Sequence, residues 1–93
     1  MTNVQFDTVI WKEGDVYVSY CPKLDVSSCG DTIDEARRMI KEAVTLFIEE
    51  AEKMGTLNNI LEEAGYTRKK TKGESKWEAP AVVSSERMEA RVE

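Results

Sequence analysis

The amino-acid sequence predicts an α+β fold, in which a small, mainly antiparallel sheet carries a long helix packed on one face. Apolar and polar residues alternate from Val4 to Trp11 and again from Val16 to Cys21, which is typical of half-buried strands. From Ile33 onwards the apolar residues recur instead at the spacing of an α-helix. The chain of 93 residues leaves room for one domain, 1–93, with one hydrophobic core.

The first three strands form one antiparallel unit. Residues 12–15 separate the first two strands, and Gly14 supplies the positive φ that a tight hairpin turn needs. Pro22 ends the second strand because it has no backbone amide to offer to a ladder. A short third strand is predicted over residues 26–29, and Gly30 permits the sharp exit from it.

The long helix is predicted to begin at a capping box. Thr32 is the N-cap and Glu35 follows three residues later, so that the two side chains satisfy amides of the first turn. The apolar stripe runs to about Lys53, and Gly55 is expected to end the helix. These elements make a βββα core over residues 1–54.

The remaining residues complete the order β-β-β-α-(α)-β. Residues 56–65 are predicted to form a short helix, capped by Thr56 and ended by Gly65. Residues 66–80 lose any regular pattern and are predicted to be a basic loop or a loose hairpin. Weak alternation predicts a terminal strand over residues 85–92, which would join the sheet beside the first strand.

The composition argues against several classes of function. The chain has no histidine, the commonest general base and transition-metal ligand, so catalysis would have to use carboxylates, lysines, tyrosines or thiols. No apolar stretch could span a bilayer and no signal-peptide pattern is present, so a cytoplasmic location without membrane contact is expected. The net charge of −5 suits a basic protein partner better than nucleic-acid phosphates.

Neither the thiols nor the carboxylates predict a catalytic site. Cys21 and Cys29 are expected to be free thiols that pack as small hydrophobes, and the chain offers no histidine to activate them. Asp7 with Asp34 or Glu35 would be the carboxylates of a residual metal-dependent nuclease, although capping already explains the latter two. No catalytic, cofactor-binding or metal-binding residue is assigned, and no cofactor is predicted.

The better candidates for function are aromatic residues and the turn that they flank. One helix cannot cover both faces of a strand, so at least one of Tyr17 and Tyr20 should lie outside the helix-covered face. Buried aromatics dominate the energetics of interfaces. The predicted partner-binding residues are Trp11, Tyr17, Tyr20, Pro22, Lys23 and Leu24.

A basic segment over residues 68–76 offers an alternative function, that of a nucleic-acid-binding regulator. Its candidate phosphate-binding residues are Arg68, Lys69, Lys70 and Lys72. Aromatic residues interleave little with them, since only Tyr66 and Trp77 are near, and a solvated loop is the favoured interpretation of the segment.

Two motifs carry a family resemblance: GDVYVSYCPKLD at residues 14–25, and SCGDTIDEA at residues 28–36 followed by IKEA at 40–43. In order and spacing they resemble the HicB-type antitoxins of type II toxin–antitoxin systems, over roughly residues 4–50. The resemblance implies a partial, catalytically inactive ribonuclease H-like fold. It also implies a partner, a small basic HicA-type toxin that cleaves mRNA and whose active surface the antitoxin covers.

The resemblance stops short of a DNA-binding segment. Many members of that family carry a C-terminal helix-turn-helix or ribbon-helix-helix segment, whereas few residues follow Gly65 in this sequence. Nucleic-acid binding by this chain alone is therefore not predicted. A homodimer is expected, because the polar third strand and the terminal strand both leave sheet edges that need a neighbour.

Overall fold

The computed structural model describes residues 2–92, and it confirms the predicted α+β class. Six strands form two three-stranded sheets, against which a long and a short helix pack. The strands are β1 Thr2–Val4, β2 Val9–Glu13, β3 Val16–Cys21, β4 Val26–Gly30, β5 Thr67–Thr71 and β6 Glu74–Glu78, and the helices are α1 Ile33–Met54 and α2 Leu57–Glu63.

The sheet β2-β3-β4 is antiparallel throughout. As predicted, Gly14 has a positive φ of 58° in the turn between β2 and β3, a conformation that glycine adopts without steric penalty. β4 pairs with β3 along its full length, from Val26 opposite Cys21 to Gly30 opposite Tyr17. β2 and β4 are therefore the two edges of this sheet.

The prediction of one strand from Val4 to Trp11 is wrong. The segment divides into β1 and β2, which belong to different sheets and are joined by residues 5–8. β1 runs parallel to β6 with Val4 beside Trp77, and the Gln5 amide then donates to the Trp77 carbonyl at 3.0 Å. Alternation does not reveal this division, because exposed and half-buried residues keep alternating across the link while the strand partner changes.

Residues 66–80 form the hairpin of β5 and β6, one of the two predicted options. Lys72 and Gly73 in its turn have φ of 42° and 80°, and positive φ at both central positions suits the right-handed twist of a hairpin. The predicted terminal strand over 85–92 is wrong, since residues 79–92 form neither helix nor strand. The place beside the first strand, which that segment needed, is taken by β6.

α1 begins and ends at the predicted residues. Thr32 is the extended N-cap, and its hydroxyl accepts a bond from the Glu35 amide at 3.0 Å. The Glu35 carboxylate accepts in return from the Asp31 amide at 3.0 Å, one residue before the cap. At the other end Gly55 adopts a left-handed φ of 74° and closes the helix.

Thr56 holds the N-cap position of α2, as predicted, but its hydroxyl does not cap the helix. Thr56 has φ −105° and ψ −6°, and its side chain makes no capping bond. Its hydroxyl and its amide both donate to the Ala51 carbonyl, at 3.4 and 2.9 Å. Because Thr56 completes the end of α1, its side chain is not available to α2.

α1 lies across one face of β2-β3-β4, and Gly30 allows it to approach closely. A Cβ atom at Gly30 would lie only 2.6 Å from the backbone nitrogen of Ala36 and 2.8 Å from the Glu35 Cβ, so no larger residue fits. Ser19 and Cys21 on this face are fully buried. The residues that alternate with them point to the opposite face of the sheet.

The core lies between the helices and both sheets. Its buried members are Cys21, Leu24, Ile40, Val44, Ala51, Leu57, Leu61, Tyr66 and Trp77. Within residues 2–92, Ser19 Oγ is the one buried side-chain oxygen without a hydrogen-bond partner. None of the helices in that range has the length and hydrophobicity needed to cross a membrane.

Candidate partner-binding surface

The face of β2-β3-β4 opposite α1, which we call the open face, is apolar although no helix covers it. Val9, Trp11 and Val16 expose 47%, 40% and 38% of their surface. Contiguous exposed apolar residues are typical of contact sites, because their removal from water favours association. The open face comprises Val9, Trp11 and Glu13 of β2, Val16, Val18 and Tyr20 of β3, and Ser27 and Cys29 of β4.

Trp11 and Tyr20 form an aromatic pair on the open face. Their ring centroids lie 6.3 Å apart at an interplanar angle of 72°, an edge-to-face arrangement that contributes about 0.5–1.5 kcal/mol beyond burial. Trp11 Nε1 donates to Glu13 Oε1 at 2.8 Å, and the Tyr20 hydroxyl donates to Asp25 Oδ1 at 2.8 Å. Both rings are held in place before a partner arrives, which reduces the entropy lost on binding.

Asp25 positions Tyr20 from the turn after β3. Its φ of 53° lies in the left-handed region, which aspartate tolerates better than most residues. The hydrogen bond to Asp25, followed by burial and the negative charge of Asp25, raises the pKa of Tyr20 above its ordinary value. Tyr20 is therefore a neutral phenol at physiological pH, fixed by one strong acceptor.

The other residues predicted to bind a partner divide into three situations. Tyr17 lies on the helix-covered side, half-buried, with Lys12 Nζ 5.6 Å from its ring centroid. Pro22 and Lys23 are exposed in the turn. Leu24 is only 6% exposed and packs in the core, because the turn folds back, so little of this side chain is available to a partner.

A crease of about 440 Å³ runs along β2 where the sheet meets the start of α1. It joins the two faces of the sheet, since its walls include Trp11 from the open face and Tyr17 from the covered face. Ile33, which is 47% exposed, and Arg37 close the crease from the helix. Arg37 also pairs with Asp34 at 2.6 Å, so its charge is already partly matched.

The two cysteines lie on opposite faces of the same sheet. Cys21 is buried, and burial raises the pKa of its thiol. Cys29 lies opposite Val18 on the open face and is exposed. Because the two side chains point to different faces, they do not form a disulfide, and both are free thiols as predicted.

The basic segment does not form one phosphate-binding cluster. Arg68 lies opposite Trp77, 5.6 Å from its ring, and donates to Ser75 Oγ at 3.0 Å. Lys69 points to the other face and pairs with Glu78 at 2.7 Å, which raises the pKa of Lys69 and lowers the pKa of Glu78. Period-two geometry thus separates neighbouring cations onto opposite faces.

Lys70 lies on the same face as Arg68, and Lys72 occupies the turn of the hairpin. Both line a shallow depression of about 390 Å³ at the hairpin tip, which also contains Glu74. The four predicted phosphate-binding side chains therefore do not converge. The two that share this depression, Lys70 and Lys72, lie beside the carboxylate of Glu74.

The carboxylates proposed for a nuclease are engaged in local contacts. Asp34 pairs with Arg37, and Glu35 accepts the Asp31 amide at the start of α1. Asp7 lies in the link between β1 and β2. Across residues 2–92, no three acidic or cysteine side chains come together in a group that could hold a metal ion.

Several residues of the open face were not predicted from the sequence as contact residues. They are Val9, Glu13, Val16, Val18, Ser27 and Cys29. The signal for them was the period of two itself: once Ser19 and Cys21 are assigned to the helix-covered face, Val16, Val18 and Tyr20 must share the other.

Comparison with protein-family models, with curated proteins and with solved structures found no match for this chain.

Proposed function

We propose that this chain is a cytoplasmic HicB-type antitoxin. Its partner is a small basic HicA-type ribonuclease toxin, which it neutralises by covering the toxin's active surface with the open face of β2-β3-β4. The motif resemblance over roughly residues 4–50 supports the identity of the partner. The observation that carries the proposal is the open face itself, an apolar surface with Trp11 and Tyr20 fixed edge to face.

The chemistry of the surface favours contact over catalysis. The polar atoms of Trp11 and Tyr20 are bonded to Glu13 and Asp25, so neither ring offers a free acid or base. A preorganised aromatic pair of this kind is typical of the energetic centre of a protein interface.

Charge supports a basic partner. The chain carries 18 acidic against 13 basic residues, and a net negative field accelerates encounter with a positively charged protein. The open face itself is nearly uncharged, with Glu13 at the end of β2 as its one ionic residue. Long-range charge thus steers the toxin, and apolar burial then holds it.

Co-expression with a small basic ribonuclease toxin from the same operon tests the proposal. We expect the wild-type chain to restore growth and to co-purify with the toxin. Trp11→Ala should lose at least about 2 kcal/mol of binding, the threshold of an interface hot spot, and should fail to restore growth. Lys76→Ala, on the exposed charged face of the other sheet, is the matched control and should behave as wild type.

Two outcomes would overturn the proposal. One is the absence of a complex with the wild-type chain although both proteins are folded, which removes the antitoxin function. The other is a complex that Trp11→Ala leaves unchanged while Lys76→Ala weakens it, which moves the contact to the other sheet.

A further inference from the structure

We infer that residues 83–92, which we call the arm, are a second binding segment for the toxin. The arm binds as an extended strand while the open face holds the same toxin molecule. The inference rests on the proposed function, because the partner is the same. It adds a contact site in a part of the chain that belongs to neither sheet.

The arm exposes apolar side chains that nothing in the free chain covers. Val83, Met88 and Val92 expose 96%, 79% and 89% of their surface. A segment that serves only as a linker is poor in large apolar residues, since exposing them to water is unfavourable. A single exposed apolar residue is ordinary, whereas a group of them on one short segment is typical of a contact site.

The arm is separate from the folded body of the molecule. Residues 79–92 form neither helix nor strand, and residues 81–92 are all exposed. Across residues 2–92, no backbone hydrogen bond or ion pair joins the arm to the body, and its side-chain hydrogen bond is internal, from Ser84 Oγ to Glu86 Oε2 at 2.7 Å. The Cα radius of gyration is 15.4 Å, compared with about 12 Å for a compact domain of this length. The arm is therefore available to another molecule.

The root of the arm is fixed at one end of the open face. The Ala79 amide donates to Gln5 Oε1 at 3.1 Å, and residues 79–82 and 4–7 line a common depression of about 510 Å³. Soon after these residues the chain enters β2 at Val9, which belongs to the open face. Residues 83–92 span up to about 33 Å when extended, which is about the diameter of a small domain. A toxin that sits on the open face is therefore within reach of the arm.

The residue pattern of the arm favours binding as a strand. In an extended chain Met88, Ala90 and Val92 share one side, and the charged residues between them share the other. Within residues 2–92, none of the six strands pairs with this segment. A strand of the toxin can supply both the missing backbone hydrogen bonds and the apolar contact, as in other cases where a peptide adds a strand to a sheet edge.

Charge favours the toxin over a second copy of this chain as the partner of the arm. Glu86 and Glu89 offset Arg87 and Arg91, so residues 83–92 carry no net charge and do not repel a basic protein. The chain as a whole has a net charge of −5, which attracts a basic toxin and repels another acidic copy.

Calorimetric titration of the toxin with the full chain and two of its variants tests the inference. Met88→Glu places a charge on the apolar side of the arm and should weaken binding at least about tenfold. Ser85→Glu is the matched control, since it adds the same charge to the other side of the arm, and it should bind as wild type. Both side chains are exposed, so neither variant should change the urea midpoint of unfolding.

Hydrogen exchange of the wild-type chain gives a readout that needs no variant. Amides of residues 83–92 should be unprotected in the free chain at every concentration and should exchange at least about tenfold more slowly in the complex with the toxin. Protection that appears in the free chain as its concentration rises would make a second copy the partner and would overturn the inference.

The failure of the inference is distinguishable from the failure of the proposed function. The inference alone is overturned by a stable complex that leaves these amides unprotected, by one that Met88→Glu leaves unchanged, or by one that Met88→Glu and Ser85→Glu weaken equally. Absence of any complex between the two folded proteins overturns the inference together with the proposed function.

Discussion

The two sheets of this molecule each bury one face and expose the other, and the exposed faces are opposite in character. On β2-β3-β4 the exposed face carries Trp11, Tyr20 and three valines. On β1-β6-β5 it carries polar and charged residues only: Asn3, Thr67, Lys69, Thr71, Glu74, Lys76 and Glu78. The polar face of β1-β6-β5 is stable in contact with water. The open face of β2-β3-β4, in contrast, exposes apolar surface that a partner would remove from water.

Each sheet contains one tryptophan, which makes the contrast testable. Trp77 faces the helices and is 2% exposed, while Trp11 faces away from them and is 40% exposed. The same side chain is therefore a core residue in one sheet and a surface residue in the other. Its role is set by which face of the strand the helices cover.

The largest expected effect separates these two tryptophans. Trp77→Ala should lower the free energy of unfolding by about 3–5 kcal/mol, because it leaves a cavity in the hydrophobic core to which Leu57, Leu61 and Tyr66 also belong. Trp11→Ala should lower it by only about 1 kcal/mol, since it removes one aromatic pair at the surface. Urea titration of both variants measures the difference. Equal losses would mean that Trp11 belongs to the core and that the open face is not a separate surface.

A second expected effect distinguishes a tyrosine of the core from Tyr20 of the open face. Tyr66 is 6% exposed and donates to the Gln5 carbonyl at 2.7 Å. Burial, with smaller contributions from Cys21 and Asp7, raises the pKa of Tyr66 from 10.0 to about 12. Since the folded-state value is the higher one, the stabilisation is complete below about pH 10 and is lost as the pH rises towards 12.

Ultraviolet absorbance during alkaline titration measures this ionisation. The phenol that ionises at the highest pH should be absent from the titration of Tyr66→Phe. The free energy of unfolding of that variant should depend less on pH between about 10 and 12 than that of the wild type does. Asp25→Asn should instead shift the titration of Tyr20 back towards its ordinary pKa. A titration that Tyr66→Phe leaves unaltered would contradict the burial of this phenol.

Much of the sheet-and-helix unit could be predicted because its signals are local. Gly14 requires a turn, Thr32 with Glu35 caps a helix, and Gly55 ends it, each through contacts within a few residues. The division of the first strand could not be predicted, because it depends on Trp77, distant in the sequence but adjacent to Val4 in space. The prediction of a terminal strand over residues 85–92 was wrong for a related reason, since β6 occupies the position beside β1 that such a strand would need.

The contact residues show the same limit. That Tyr17 and Tyr20 point to opposite faces follows from the period of a strand, and the structure confirms that Tyr20 lies outside the covered face. The burial of Leu24 depends on how the turn folds back onto the core, which the sequence pattern does not specify. The role of Asp25 likewise depends on its left-handed backbone conformation.

The smallest expected effect concerns the charged face. Because Arg68 stacks on Trp77 and Lys69 pairs with Glu78, we expect duplex RNA and operator DNA to bind only weakly, with a shallow dependence on salt. Fluorescence anisotropy at several salt concentrations measures this. Tight binding with a steep salt slope, lost in a Lys70→Ala and Lys72→Ala double variant, would instead make this sheet a functional nucleic-acid surface.

Thiol protection at Cys29 tests the central claim, that the open face binds the partner, most directly. Cys29 is exposed on that face, whereas Cys21 is buried on the opposite one. The free chain should therefore react with a thiol reagent in one fast and one slow phase. In the complex with the toxin, measured at the same antitoxin concentration, the account predicts that the fast phase slows at least about tenfold. A stable complex in which Cys29 still reacts at its free rate would contradict it.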